Sequence, residues 1–418
     1  MQYHQKHCPN RLPAFQDPRL FFGRPVTPDT PFILLIPTPK AFERRPYAQE
    51  QFKAITAWAK DNHPFYRKWL QNCEDSVPLL SRVDILENND QLLNGHAVTA
   101  TTSGPTGVPV KTAWSKDRMA LEGEVTNRFI SWLGGRLGVT RFIHTDNPGE
   151  DCRDVKTPVA EQLAFIKQRF TQHQATAITT YPSNAERLCH AVFEQGLDMH
   201  FVQRFGVFAE VFEPYQEALI KQAFPNAQIW STYSAQEVGM IAGRCPHHPK
   251  YHHVLAGKLG VEILNDDNEP CAQGEVGRVV ITDFFNTAMP LIRYDIGDLA
   301  AWGECPCGKI DFPAFSTILG KIRGSLLHRN GERVPFTELS VALRNIEGMR
   351  QYQVIQDDIE HFIVRLVHVA NEAPNRLQQQ VESAFQQHFS YLPKLTVIME
   401  NEIEREKNGK FYSSKCTV

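Results

Sequence analysis

The stretch ATAITTYPSNAERLCHAVFEQGLDMHFVQRFGVFAEVFEPYQEALIKQAFPNAQIWSTY, residues 175–233, decides the fold class. Runs rich in β-branched and aromatic residues (ATAITT at 175–180, RFGVFAEVF at 204–212, AQIWSTY at 227–233) alternate with segments of helical spacing at 184–196 and 213–224. Strand, helix, strand, helix, strand in that order predicts parallel sheet flanked by helices. Working outward, RFIHT at 141–145 reads as a further strand, and 116–133 and 157–170 as amphipathic helices. Farther upstream, Phe52, Ile55, Trp58 and Ala59 recur at helical spacing, followed by PFYRKWL at 64–70.

Toward the C-terminus the texture changes. From residue 258, KLGVEILN, GRVVITD and PLIRYDIGDLAAW read as short strands separated by turn clusters such as NDDNEP, which predicts an antiparallel or mixed β unit. After Gly320 come strands at 351–356, 361–369 and 394–399 and a helix at 373–390. The expected division is a large domain over 1–320, a hinge at 321–325 where Gly320 and Gly324 bracket basic residues, and a small domain over 326–418. The fold class is therefore multidomain α/β: a large N-terminal domain of β-sheets flanked by helices with a β subdomain, then a small α+β C-terminal domain.

A chain of 418 residues exceeds one compact domain, and 42% hydrophobic with 22% charged residues is ordinary globular composition. A net charge of -3 argues against a general nucleic-acid partner, which would favour a basic surface. The early apolar run FILLI at 32–36 is only strand length, no stretch approaches the ~20 apolar residues of a membrane span, and the polar start does not read as a signal peptide. Cytoplasmic residence is the expectation. Nine cysteines in this length make no disulfide scaffold.

Chemistry enters at TTSGPTGVPV, residues 101–110. Glycines and small hydroxyl residues let backbone N–H groups close around a phosphate, with Thr102, Ser103 and Thr106 adding hydroxyl donors; a polar surface turn reads the same way. It is no Walker loop, because Gly104 and Gly107 are too close and no GK[ST] follows. Downstream stand STYSAQEVG at 231–239, LIRYDIGDLA at 291–300, a Gly–Lys and RNGERVP within 320–335, and EREKNGKF at 404–411.

These signatures, in this order from about residue 50 to the C-terminus, resemble the adenylate-forming (acyl-CoA synthetase) superfamily. HPFYRKWL at 63–70, FAEVFEPYQEAL at 208–219, NTAMPLIRYDIGD at 286–298 and CPCGK at 305–309 are similar to its phenylacetate–CoA ligase branch. The resemblance implies a small C-terminal domain that moves. It also implies ATP and magnesium, a small-molecule carboxylic acid (aryl, by branch), and a thiol acceptor, either coenzyme A or the pantetheine of an acyl carrier protein. An amine or hydroxyl acceptor is the alternative, and a non-catalytic nucleotide-binding relative a further one. A homodimer is left open.

Residue by residue, the resemblance carries the phosphate loop onto Thr102, Ser103, Gly104, Thr106 and Gly107, and nucleotide contacts onto Ala209, Glu210, Ser231, Thr232 and Ser234. Tyr233 matches the aromatic lying against adenine, with a core tyrosine as its bland role. Glu237 matches the magnesium carboxylate; alone it would read as a solvated loop acid. Asp298 matches the acid that accepts both ribose hydroxyls, a task for which two carboxylate oxygens suit; otherwise it is a turn residue after Gly297. Arg293 is placed to pair with Asp295 or Asp298. Lys410, after Gly409, matches the catalytic lysine that neutralises charge at the α-phosphate.

The sequence departs from the family at Pro105 for a hydroxyl residue, at Val110 for Lys, at Gly324 for a charged hinge residue, and at Lys321 for Arg. The last puts the ribose contact of Lys321 in doubt, since an ammonium lacks the guanidinium fork. For the acyl pocket, analogy points to 141–146, Tyr181–Pro182–Ser183 and 208–212, with Phe208, Phe212 and Ile229 as candidate walls. Cys245, with the histidines of CPHHPKYHH at 245–253 and with Cys305 and Cys307, offers tetrahedral zinc ligands. Some members of the resembling family hold a structural zinc this way. His253 is the preferred histidine, with His247, His248 and His252 as rivals; the alternative is reduced cysteines in a loop.

Overall fold

The structure is a computed structural model that describes residues 46–71, 77–101, 110–255, 257–310, 312–321, 325–368, 374–405, 411 and 413–418. The FILLI run, the 102–107 loop, Lys410 and hinge positions 322–324 lie outside the described residues.

The region 175–233 folds as strand–helix units. Ala177–Thr180, Arg204–Phe208 and Gln228–Ala235 pair in parallel, with helices Pro182–Glu194 and Pro214–Ala223 between them. The first helix starts on Pro182, whose fixed φ suits the opening turn and whose missing N–H would have no partner there. It buries Ala185, Leu188, Cys189 and Val192, spaced as one helical face, against a core shared with Phe205 and Val207. Leu188 is fully buried, so truncation to Ala would cost about 2–5 kcal/mol. Val139–Ile143 and Cys152–Asp154 extend the parallel half outward.

One expectation is corrected. The strand read over 204–212 ends at Phe208, because Ala209 turns the chain with φ of 69°. The β unit after 258 is antiparallel, as expected, and continues the same sheet. Leu259–Leu264, Val276–Asp283, Tyr294–Gly303 and Ala314–Lys321 run antiparallel and join the parallel half through His252–Val254 and Gly239–Arg244, in one sheet of eleven strands. The texture change marks a switch of strand direction. Gln228–Ala235 is the seam, parallel to Arg204–Phe208 on one side and antiparallel to Gly239–Arg244 on the other.

Helices Pro46–Asn62 and Pro64–Trp69 pack on the antiparallel half, where Ile55, Ala59 and Tyr66 join a core with Phe284 and Leu291. A four-stranded sheet, in the order Lys394–Met399, His361–His368, Met349–Asp358, Ser414–Cys416, has a core of its own with helices Thr337–Arg344 and Pro374–Phe389. Its last strand pairs in parallel with Met349–Asp358, returning the chain end toward the large sheet.

Candidate functional site

A cleft of about 2510 Å³ lies between the seam of the large sheet and the C-terminal sheet. Tyr233, Glu237, Asp298, Ala209, Glu210, Ser231, Thr232 and Ser234 all line it.

Tyr233 and Asp298 meet on its wall: the phenol donates to Asp298 Oδ2 at 2.7 Å, and both are buried. Burial and the neighbouring Asp298 carboxylate push the phenol well above its ordinary range, so it stays a donor. Tyr233 also packs edge-on against Phe315 at 5.8 Å. Asp298 pairs in strand register with the backbone of Lys321.

Glu237 sits in the turn after the seam strand and is 6% exposed. Its Oε1 lies 3.6 Å from Arg82 Nη1 and 3.4 Å from the Tyr294 hydroxyl. Both contacts exceed a charge-assisted hydrogen bond, so the carboxylate retains capacity for an oxygen-seeking cation such as magnesium. The turn's backbone is held on several sides. Trp114 Nε1 donates to the Glu237 carbonyl at 3.0 Å, Arg118 and Lys258 donate to the Val238 carbonyl at 2.6 and 3.2 Å, and Glu122 accepts from Met240 N at 2.7 Å. Arg118 further binds Asp283 at 2.6 Å and Glu122 at 2.9 Å, and Lys258 binds Glu122. Burial acts to raise the Glu122 carboxyl, but Lys258 and Arg118 together hold it below its usual value.

Glu210 faces the C-terminal segment. Its carboxylate accepts from Ser183 N at 2.9 Å and Phe411 N at 2.7 Å and pairs with Arg405 at 3.7 Å. Burial raises Glu210 despite Arg405, and burial lowers Arg405 despite Glu210. Desolvation opposes the charged form on both sides, and Arg405 Nη1 also donates to Ser183 Oγ at 2.9 Å. Ser231 Oγ lies 2.8 Å from His252 Nε2. Burial, with Arg244 and His253 nearby, pushes His252 down to about 3, so it is neutral at physiological pH.

Of the expected acyl pocket, Tyr181, Ser183, Phe208 and Phe212 line the cleft. Ile229 does not; it packs on the core beneath the parallel half. Nor do 141–146, where His144 and Thr145 are instead tied to Asp154 at 3.1 and 2.8 Å. Arg293 pairs with neither Asp295 nor Asp298. With φ of 49° it turns to Glu262, at 3.0 and 3.1 Å, while Asp295 pairs with Arg278 at 2.8 Å.

Away from the cleft, Cys245, His253, Cys305 and Cys307 bring one ligand atom each to within 4.8 Å of one another. Cys305 Sγ to Cys245 Sγ and Cys307 Sγ to His253 Nε2 are both 3.7 Å. Tetrahedral zinc with Zn–S near 2.3 Å separates its sulfurs by about 3.8 Å, so the donor set fits that ion. His253 Nδ1–H donates to the Phe312 carbonyl at 3.0 Å, which aims Nε2 at the sulfurs. Neighbours on a strand point to opposite faces, so His252 turns away to Ser231.

Sequence reasoning missed Arg82, Arg405 and the Arg118–Glu122–Lys258–Asp283 cluster. The only signal near Arg82 is Ser81 three residues before Asp84, which marks a helix start and nothing more.

Residues 326–415 match the family described as the CapK C-terminal domain. The chain is 24% identical over 355 residues to a phenylacetate–coenzyme A ligase of Thermus thermophilus, covering 74% of this chain and 78% of that protein. It is 25% identical over 221 residues to Protein CapK of Staphylococcus aureus, covering 51% of this chain and 46% of that one. Among solved structures, a 2-hydroxyisobutyryl-CoA ligase in complex with 2-HIB-AMP superposes with a TM-score of 0.71 at 17% identity, over 90% of each chain. The fold is that of the acyl-CoA ligases. Among the described residues, no helix is long and apolar enough to cross a membrane.

Proposed function

We propose that this chain, a relative of the phenylacetate–CoA ligase-like branch of the adenylate-forming superfamily, uses ATP to activate a carboxylic acid as its acyl-adenylate and then transfers the acyl group to a thiol. The observation that carries this reading is the Tyr233–Asp298 hydrogen bond of 2.7 Å in a cleft that Glu237 also lines. Tyr233 and Glu237 from the seam strand and its turn, and Asp298 from a strand far along the chain, would offer one ligand an aromatic ring, a metal carboxylate and a diol acceptor.

In the first step a carboxylate oxygen attacks the α-phosphorus, the bond to the β-phosphate's bridging oxygen breaks, and pyrophosphate leaves. Asp298, oriented by the Tyr233 hydroxyl, accepts the ribose hydroxyls. Glu237 would hold magnesium, which neutralises charge on the departing phosphates when bound. The 102–107 loop holds those phosphates, and Lys410 stabilises charge at the reacting centre. In the second step a thiol sulfur attacks the acyl carbon, the acyl–phosphate bond breaks, AMP leaves and the thiol proton passes to solvent. The acceptor is coenzyme A or a carrier-protein pantetheine, and the branch favours an aryl acid, which Tyr181, Phe208 and Phe212 suit as walls.

In this reading residues 1–320 bind ATP and acid, 321–325 form a hinge, and 326–418 swing between the two steps. The Glu210 contacts to Arg405 and the Phe411 N–H join the two parts and would have to break in that swing. Cys245, His253, Cys305 and Cys307 would hold a structural zinc that staples the antiparallel β unit and takes no part in chemistry. Cytoplasmic residence belongs to the same proposal.

The test is acid-dependent ATP–pyrophosphate exchange across a panel of aryl and aliphatic acids. Exchange with at least one acid, falling about 100-fold or more in Lys410→Ala, is the expected result. Exchange that persists in Lys410→Ala at the wild-type rate would overturn the assignment of Lys410. Failure to bind ATP would overturn adenylation itself.

A further inference from the structure

The adenylation reading leaves Arg82 without a role, and this inference rests on that reading. Arg82 lines the cleft with its guanidinium turned to Glu237. Its backbone is fixed from both sides. Leu80 forms a parallel bridge to Tyr294, with Leu80 N donating to Arg293 O at 2.9 Å and Asp295 N donating to Leu80 O at 2.9 Å. Ser81 N donates to Asp84 Oδ2 at 2.8 Å, opening the helix Arg82–Glu87. The side chain therefore starts from the first residue of a helix that Leu80 anchors to the strand presenting Tyr294 and Asp298.

Magnesium holds its oxygen ligands at about 2.0–2.1 Å in an octahedron, which sets ligands sharing the ion about 3–4 Å apart. Arg82 Nη1 stands 3.6 Å from Glu237 Oε1. It thus stands at the separation from Glu237 that a phosphate oxygen sharing a metal with it would have. A guanidinium and a divalent cation repel, so with the ion on Glu237 the Arg82 side chain would turn toward the nearest new anion. A planar fork also suits phosphate oxygens better than an ammonium. Three other arginines of the cleft pair with carboxylates elsewhere, Arg187 with Glu402, Arg244 with Glu217 and Arg350 with Glu194, and Arg136 donates to the Asn127 side-chain oxygen.

We infer that Arg82 is a ligand of the β and γ phosphates of ATP and of the departing pyrophosphate, masked by Glu237 until the metal arrives. Discrimination follows from chemistry: AMP lacks the groups that Arg82 would hold.

Calorimetry would measure binding of magnesium pyrophosphate, MgATP and AMP to the wild-type chain, Arg82→Ala and Arg82→Lys. The expected result is a loss of about tenfold or more in pyrophosphate and ATP affinity for Arg82→Ala, a smaller loss for Arg82→Lys, and AMP affinity within twofold of wild type. Equal losses for AMP and pyrophosphate would overturn the inference, because they report a positioning effect on Glu237 and its neighbours. Unchanged pyrophosphate affinity in Arg82→Ala would overturn it too. A wild-type chain that binds no MgATP would sink the adenylation reading and take this inference with it, an outcome distinct from wild-type binding with unaffected variants.

Discussion

Gly239→Ala is the sharpest test of how the Glu237 turn is held. Gly239 has φ of 71°, and a Cβ there would lie 2.5 Å from Glu122 Oε1, 2.6 Å from Cδ and 2.7 Å from Oε2. Glu122 is no free-swinging side chain. It is bound by Arg118 at 2.9 Å, by Lys258, and by the Met240 N–H at 2.7 Å. An alanine must therefore strain the left-handed backbone, at about 1–2 kcal/mol, and dislodge the carboxylate from two buried cations, at about 3–5 kcal/mol. The expected total is about 4–7 kcal/mol. Gly274→Ala is the control: its φ is 80° with nothing within 4 Å of the added Cβ, so only the backbone term of about 1–2 kcal/mol applies. Urea unfolding followed by tryptophan fluorescence measures both, and Glu122→Ala supplies a second background in which the clash is absent. If Gly239→Ala costs no more than Gly274→Ala, or costs as much with Glu122 deleted as with it present, the clamp is not what holds this turn.

Three further outcomes are expected. Tyr233→Phe removes the donor to Asp298, a charged hydrogen bond worth about 1.5–3 kcal/mol, so ATP affinity should fall about tenfold or more; titration calorimetry checks it. Metal analysis should find one zinc per chain, and Cys305→Ser or a strong chelator should remove it and lower the melting temperature. A full zinc complement in Cys305→Ser would refute that site. Glu210 gives a pH signature. Burial raises its folded-state value, so the folded chain holds the proton at pH where the unfolded chain has lost it. The stability it contributes is present below the ordinary carboxylate range and is lost as pH rises through the folded value. Glu210→Gln should therefore gain stability relative to wild type between pH 4 and pH 7 in urea titrations; a constant difference would contradict the sign.

Much of the fold was legible because periodicity is local. The helices and parallel strands of 175–233 follow from spacing that a short peptide carries, and the change of texture after 258 was legible too. Its meaning was not: whether antiparallel strands start a new sheet or extend an old one depends on edge pairing by His252–Val254 and Gly239–Arg244, which adjoin strands distant in sequence. The early end of the 204–212 strand turns on one positive φ at Ala209, a residue type that gives no warning of it.

The sequence by itself determined which chemistry-bearing residue types exist and their order along the chain, and through local periodicity most of the helices and strands. Only the tertiary structure decided who meets whom. Tyr233 and Asp298 are 65 residues apart and share a 2.7 Å bond. Arg293 leaves the aspartates beside it for Glu262. Of two adjacent histidines, strand alternation sends His253 to the cysteines and His252 to Ser231. Arg82 reaches Glu237 across a distance no motif encodes. The reason is physical: backbone preference acts over a few residues, while contact geometry is set by strand register and by burial of the whole core.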